Sequence, residues 1–457
     1  ITWTSFPSDR STSGRQRSFA PRILGINPWI EDFAAYNLWT RPAGLLLCLD
    51  MLRRAGAQTA LLDCLHQTWS DIAWPKQRAH GHGPWPKAPL PAPSGLEHVP
   101  RRFSRYGLPY HAVSQALKRL NPPDAVLMTT SMTYWYPGAA AMARLIRQSW
   151  PRTPIILGGV YATLCQDHAT ALDVFDLVIA GPLERPDNWA ALWNRLDTPV
   201  PPRPDPTRVT MALDSYRAPR FSIILGSRGC PFHCAYCASK ALHPAFEQRT
   251  SAQVLAEARS ELDRGVQDFA FYDDALLIQP ETWLLPLLEE IVDASLPVRL
   301  HTPNALHVSQ LSLEMCTLLK KAGLTTVRLG LETGDFKNRL DAKLSREQWD
   351  AGLAHLFQAG FTGSQLGAYI LFGLPGQREE EVKQAIELAQ ASGVRPHLAQ
   401  YSPIPGSPLF EQAMESSDYP LDADPIFQNN SIWPCVPGGF SWEADRFWKA
   451  LLTPGID

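Results

Sequence analysis

Three cysteines, Cys230, Cys234 and Cys237, constrain this chain more than any other feature. They stand in the run Arg228-Gly-Cys-Pro-Phe-His-Cys-Ala-Tyr-Cys-Ala238, a Cys-x3-Cys-x2-Cys spacing with an aromatic residue directly before the third thiol. An apolar run, Phe221 to Leu225, leads into it, so the thiols are expected on a loop leaving a strand. Soft thiolates gathered on one short loop suit zinc or an iron–sulfur cluster. A cubane cluster ordinarily takes four cysteines. Three would leave one iron open, as a catalytic zinc keeps one position open for its substrate. A structural zinc site would need His233 or His243 as a fourth ligand. Such sites usually pair two ligand knuckles, and only one is visible here.

At 457 residues the chain has room for two or three cored domains. Its 45% hydrophobic and 19% charged residues describe a globular protein, and a net charge of −3 gives no general polyanion-binding surface. No apolar stretch approaches the ~20 residues of a membrane span. The eight cysteines do not form a disulfide framework in a chain this long: Cys48, Cys64, Cys165, Cys316 and Cys435 are scattered. Residues 1–21 are polar and Arg/Ser-rich and read as a disordered leader. Many of the 41 prolines fall between Trp74 and Pro123 and between Pro182 and Pro219. These mark an insertion at about 66–122 and a linker at 201–219.

The cysteine run resembles the radical S-adenosylmethionine (SAM) superfamily in its spacing, in Tyr236 before the third cysteine and in the strand ahead of it. The resemblance implies that Cys230, Cys234 and Cys237 hold a 4Fe–4S cluster whose open iron chelates the amine and carboxylate of SAM. One electron from the cluster would then cleave a carbon–sulfur bond and yield the 5′-deoxyadenosyl radical. It also implies a reductant such as a flavodoxin or ferredoxin, and a cytoplasmic setting.

From Phe221 to about Tyr401 the pattern repeats strand then helix six times. Ser345-Arg-Glu-Gln348 is a capping-box pattern, and Gly265, Gly323 and Gly360 stand where helices stop. Six βα units match the partial (β/α)6 barrel of the resembled family, expected over 220–409. Its chemistry belongs at the carboxyl ends of the strands. Tyr272-Asp273-Asp274 falls where the family binds the methionyl amine, and carboxylates suit an ammonium group there. Asn304 follows the third strand. Glu332, in Gly330-Leu-Glu332-Thr333, follows the fourth. Gly373 and Gly376 follow the fifth, as in the segment beside the adenine. With Tyr236 these complete the expected SAM-binding set.

The α/β pattern over 22–200 predicts a doubly wound parallel sheet of Rossmann or flavodoxin type. Ser131 and Thr133 follow its third strand, Gly158-Gly159 its fourth and Gly181 its fifth. The arrangement resembles the cobalamin-binding domain that precedes the barrel in one large radical SAM subfamily. Asp-x-His-x-x-Gly, which gives a histidine to cobalt in many cobalamin proteins, is absent. The turn reads Asn27-Pro28-Trp29-Ile30-Glu31 instead. The alternative is a purely structural flavodoxin-like domain. His80 and His82 in the insertion offer a metal-binding pair, against the blander reading of a surface loop.

The segment 410–457 has eight Asp/Glu against two Lys/Arg, reads as a cap and gives no basic surface for nucleic acid. Its Cys435 is a candidate catalytic thiol or lower cobalt ligand, or simply a small buried side chain. The resemblance implies a cobalamin-dependent enzyme methylating an unactivated carbon of a small, apolar molecule. A radical cyclisation or rearrangement and a non-enzymatic zinc- or cluster-stabilised binding protein are the competing functions.

Overall fold

The computed structural model describes residues 20–67 and 72–453. Residues 1–19 of the expected leader, and Trp69, lie outside the described residues. Two compact units divide the chain at Pro219, except that 79–81 and 92–101 belong with the second.

The first unit is built on five parallel strands: β1 (Arg22–Asn27), β2 (Gln58–Asp63), β3 (Ala125–Thr130), β4 (Ile155–Gly159) and β5 (Leu177–Val178). Their spatial order is β2-β1-β3-β4-β5. Strand order reverses between β1 and β3, and ligands of doubly wound sheets bind at such a point. The central strands read as continuous apolar runs because both of their faces are covered. The helix Ala43–Arg54 buries Leu45, Leu46, Leu49 and Leu52. It lies so close to β1 that a Cβ on Gly25 would stand 2.9 Å from a Leu49 methyl. Gly138, in the helix Tyr136–Ser149, is required for the same reason: a Cβ there would stand 2.0 Å from the Trp29 carbonyl oxygen.

The insertion holds more order than its composition suggests. Ile30–Asp32, Ser104–Tyr106 and Lys87–Pro89 form a three-stranded antiparallel sheet, followed by the helix Tyr110–Arg119. Strands of three residues are too short to leave an alternation in sequence. The two insertion histidines part company: His80 bonds Asp268 at 2.9 Å, while His82 bonds the Tyr36 hydroxyl at 3.0 Å. The segment expected as a linker is tied down along its length. The Thr210 N–H donates to Asp50, Arg53 pairs with Asp214 at 2.7 Å, and the Tyr216 hydroxyl donates to buried Asp63 at 2.7 Å.

The second unit carries six parallel strands: β6 (Ser222–Ile224), β7 (Asp268–Phe271), β8 (Arg299–His301), β9 (Leu324–Glu332), β10 (Leu366–Phe372) and β11 (Arg395–Gln400). Each pairs with the next in chain order. Leu300, Val327, Leu329, Leu331, Ala368 and Ile370 point into one apolar core with the helices outside the sheet. The alternate residues face the other way and are polar: Asp268, His301, Arg328, Tyr369 and His397. Deep on that inner face, burial opposes ionisation of Asp268. Hydrogen bonds from Arg299 and His301 nevertheless hold its carboxyl below the usual range.

The helix signals read from sequence are present. Gly265, Gly323 and Gly360 have φ of +85°, +90° and +89°, which an L-residue adopts only with strain. Ser345 and Gln348 form a capping box at the helix Arg346–Gln358, and Thr250 with Gln253 forms another at Ser251–Asp263. The tail adds the helix Trp442–Leu452 and places Trp433, Phe440 and Trp448 in the outer core. Among the described residues no helix is long and apolar enough to cross a membrane.

Replacing Ser345 by alanine removes the acceptor for the Gln348 N–H and is expected to cost about 1 kcal/mol. A urea midpoint unchanged from wild type would contradict this.

Candidate functional site

The cysteine loop leaves the carboxyl end of β6 and is braced before the first thiol. Buried Asp273, just past β7, accepts from the Gly226 N–H at 3.1 Å and from the Ser227 hydroxyl at 2.6 Å. Arg249 donates to the Leu225 carbonyl at 2.8 Å and is itself held by Glu257 at 2.6 Å. Gly226 lies against the Trp283 indole, where a Cβ would stand 2.1 Å from the ring. Gly229 takes φ +78°, and a Cβ there would meet the Ala245 carbonyl at 2.4 Å. The two glycines let the chain turn tightly against neighbours that cannot retreat.

The far side of the loop is clamped by backbone. The Ala235 N–H donates to the Leu340 carbonyl at 3.0 Å, and the Leu409 N–H donates to the Ala235 carbonyl at 2.9 Å. Cys230 and Cys234 are buried and Cys237 is exposed. Burial pushes the thiols up, Cys237 to about 11, while nearby Lys343 pulls Cys230 and Cys234 down. Ionised thiols here need positive charge beside them: Lys343 supplies part of it to Cys230 and Cys234, and a metal centre would supply the rest. The donor set fits an iron–sulfur cluster. It fits a single zinc ion less well. Among the described residues, the set of three His, Cys, Asp or Glu ligand atoms within 4.8 Å of one another is His80, Asp268 and His301, not the cysteines with His233 or His243.

An ion cluster stands at the same strand ends. Lys343 lies 3.6 Å from both Glu332 and Asp341. Asp341 is gripped by both arms of Arg339, at 2.8 and 2.9 Å, and accepts from the Tyr236 hydroxyl at 2.9 Å. Burial disfavours the Lys343 ammonium, but Glu332, Cys234 and Asp341 outweigh it and hold its pKa above the ordinary value. Glu332 is raised by burial and has φ +64°, at a register shift between Gly330 and Glu332. A bulge that re-aims a side chain at a strand end, with backbone strain, is typical of functional sites. Gly330 makes room for it, since a Cβ there would stand 2.9 Å from the Glu332 carboxylate. Arg339, Asp341 and Lys343 went unnoticed in the sequence. The available signal was alternating charge in Arg339-Leu-Asp341-Ala-Lys343, shortly after the Gly-x-Glu segment.

The other expected residues fall as follows. Asp274 accepts from the Ser239 hydroxyl at 2.7 Å, two residues past Cys237. Asn304 donates to the Tyr272 carbonyl at 3.0 Å, beside the aspartates. Gly373 and Gly376 have φ of +81° and +69°, and Gln377 closes their turn by accepting from the Gly373 N–H at 2.7 Å. Cys435 sits in an apolar cluster with Tyr401, Leu409 and Leu421, against Ala235 and Tyr236. Burial pushes its thiol up to about 11.

In the first unit, a cleft opens at the point where strand order reverses. It is lined by Asn27 to Ile30 beyond β1, by Thr129, Thr130 and Ser131 of β3 and its end, and by Leu65 and Trp135. The buried hydroxyls of Thr130 and Thr133 have no hydrogen-bond partner among the described residues. Thr129 and Thr130 pair with Gly158 and Gly159 in register, so the expected Ser/Thr and Gly-Gly segments lie at adjoining strand ends. Gly159 has φ +89°, and a Cβ on Gly158 would meet nothing within 4 Å. Gly181, with φ +80°, donates its N–H to the Thr163 hydroxyl at 2.9 Å. A cleft lined by the orphaned Thr130 hydroxyl suits a polar ligand.

A radical SAM superfamily domain is present in the chain: the family profile matches residues 224–389, from the end of β6 to the helix after β10. A stretch of 228 residues is 25% identical to an uncharacterized methyltransferase of Pyrococcus horikoshii, covering 47% of each chain. Another of 297 residues is 21% identical to an uncharacterized protein of Methanocaldococcus jannaschii, covering 60% of this chain and 64% of that one. The chain thus spans between about half and just under two thirds of the length of these curated relatives. A solved structure of coproporphyrinogen III oxidase (HemN) from Escherichia coli, a radical SAM enzyme, aligns with TM-score 0.30 and 14% identity over 42% of this chain and 46% of that chain.

The brace predicts a pH effect. Burial pushes the Asp273 carboxyl up to about 7 from an ordinary 3.8. Between those values the unfolded chain gives up a proton that the folded state keeps. Asp273 therefore withdraws stability as pH rises through that window, by at most roughly 4 kcal/mol, and no more above it. Asp273→Asn is expected to flatten this slope. Equal changes in urea midpoint from pH 4 to pH 8 in both proteins would contradict it.

Proposed function

We propose that the radical SAM superfamily domain in this chain is the catalytic part of a cobalamin-dependent enzyme that cleaves SAM reductively and methylates an unactivated carbon of a small or lipid-like molecule. One observation carries the reading: three thiols share a braced loop at the mouth of six parallel strands, beside a buried ion cluster at the same strand ends.

In this reading Cys230, Cys234 and Cys237 hold a 4Fe–4S cluster, which when bound supplies the electron that opens SAM. Lys343 offsets the negative charge of the thiolates and stays protonated because Glu332 and Asp341 flank it. Asp274, exposed and fixed by Ser239, offers a carboxylate to an ammonium group. Asp273 is already engaged by Gly226 and Ser227, so its part is to position the loop. Asn304 fixes the backbone that carries both aspartates. Tyr236 is held by Asp341, and burial keeps its hydroxyl protonated. The glycine turn at Gly373 to Gly376 leaves bare backbone where an adenine would approach.

The first-unit cleft would take cobalamin, which when bound supplies the methyl group. Thr130 and Ser131 line the cleft and offer hydroxyls, Thr133 carries a further orphaned hydroxyl, and Gly158, the register partner of Thr129, has open space where a Cβ would be. The distant relative bearing a methyltransferase name supports methyl transfer in the same direction.

Two measurements test the proposal. Gly158→Leu adds bulk where the wild-type chain has open space, so the fold is expected to survive while corrinoid binding falls at least tenfold. Unchanged binding, or no corrinoid uptake by the wild-type protein, would sink the cobalamin assignment. Lys343→Met is expected to lower the yield of 5′-deoxyadenosine from SAM at least tenfold with the secondary structure intact, because a buried cation is lost beside Cys230 and Cys234. A yield within twofold of wild type would remove Lys343 from the account.

A further inference from the structure

The inner face of the β6–β11 sheet holds a cation, Arg328, that among the described residues pairs with no acid. Arg328 projects from β9 on that face, opposite the side that packs against the helices. Its guanidinium donates to the neighbouring Val327 carbonyl at 3.2 Å and hydrogen-bonds the Tyr369 hydroxyl, which itself donates to the Pro303 carbonyl. Burial lowers its pKa, and the like charge of Arg395 adds to that. The acid on this face of β7, Asp268, is already engaged by Arg299, His301 and His80.

An imidazole joins it. His397, on β11, pairs in register with Tyr369, and its ring stands 6.2 Å from the tyrosine ring. Among the described residues its ring nitrogens make no hydrogen bond, although Arg328 and Arg395 both bear on it. Gly367 on β10 lies between the two. A Cβ there would stand 2.7 Å from the His397 ring and 3.0 Å from Arg328 Nη1. The sequence thus keeps a glycine inside a strand where a guanidinium and an imidazole lie across its backbone. A glycine in a strand interior costs stability, and close approach of other groups is one reason to keep it.

We propose that Arg328, His397 and Tyr369 form an anion-binding subsite on the inner face of the barrel sheet, which anchors a carboxylate or phosphate of the substrate. The inference rests on the reading of this domain as catalytic. It narrows the substrate to molecules with an anionic end. Arg328 and Glu332 share one strand four residues apart, roughly 13 Å at strand rise. The anchored group would therefore lie about that far below the strand ends that carry the cysteine loop, and the reacting carbon about as far from the anion. Guanidinium is suited to this task because it stays charged when half-buried and offers paired N–H donors to either oxyanion.

The test is calorimetric titration of the full, cluster-reconstituted chain with octanoate and with octyl phosphate, alongside titration with SAM. At least one probe is expected to bind, and the tighter of the two tells carboxylate from phosphate. Arg328→Gln is expected to weaken that probe at least tenfold, with Arg328→Lys recovering part of the loss. Gly367→Ala, which pushes the guanidinium and the imidazole aside, is expected to weaken it as well. Iron content and SAM affinity are expected to stay within twofold of wild type in all three, and exposed Arg378→Gln is expected to bind the probe as wild type does. The proposal is overturned if neither probe binds, if Arg328→Gln binds as wild type does, or if SAM affinity falls in step with the probe, which would assign the cation to SAM. Failure of the catalytic reading has a separate signature: wild-type protein that cleaves no SAM yet binds the probe through Arg328.

Discussion

Asp273 holds the cysteine loop from beneath, and the rest of the site is built outward from that contact. The loop has to turn sharply off β6, which requires glycine at 226 and 229 and leaves the backbone with little intrinsic preference for one path. A buried carboxylate accepting from Gly226 and Ser227 selects the path. Arg249 and Glu257 repeat the restraint from the adjoining helix, and the backbone at Leu340 and Leu409 fixes the third-cysteine side. These restraints fix the path of the loop on both sides of the thiols.

Charge is the second constraint. Thiols, Glu332, Asp341 and Tyr236 crowd one buried region, and burial alone would keep most of them neutral. Arg339 neutralises Asp341 through a paired hydrogen bond, which leaves Lys343 shared between Glu332 and the thiols. The strained φ of Glu332 brings its carboxylate to that lysine. Glu332 and Asp341 thus each have a cation within reach, whereas among the described residues Arg328, on the inner face of the sheet, pairs with no acid.

Much of this was legible in the sequence where the physics is local. Thiol spacing, apolar strands covered on both faces, Ser345 with Gln348 and the glycine stops at 265, 323 and 360 each act within a few residues. Other features are set by tertiary contact and leave weak local traces. Arg339, Asp341 and Lys343 matter because a loop folds back on Tyr236, about a hundred residues earlier. Asp273 looks like a ligand residue in sequence, and only the fold reveals that its carboxylate is turned to the loop backbone. The strands at 30–32, 87–89 and 104–106 are too short for periodicity. Residues 201–219 read as a proline-rich linker because the acceptors that tie them down, Asp50 and Asp63, lie far away in the chain.

The reading of the first unit depends on a cleft and two orphaned hydroxyls, whereas that of the second depends on the cysteine loop. The loop is therefore where the account is most exposed. The direct measurement is metal content of the anaerobically reconstituted chain together with 5′-deoxyadenosine formation from SAM under a strong reductant, in wild type and in the Cys230, Cys234 and Cys237 to alanine variant. The account predicts about four irons per chain, SAM cleavage in the wild type, and loss of both in the variant. Stoichiometric zinc with no iron and no SAM cleavage in the wild type would contradict it.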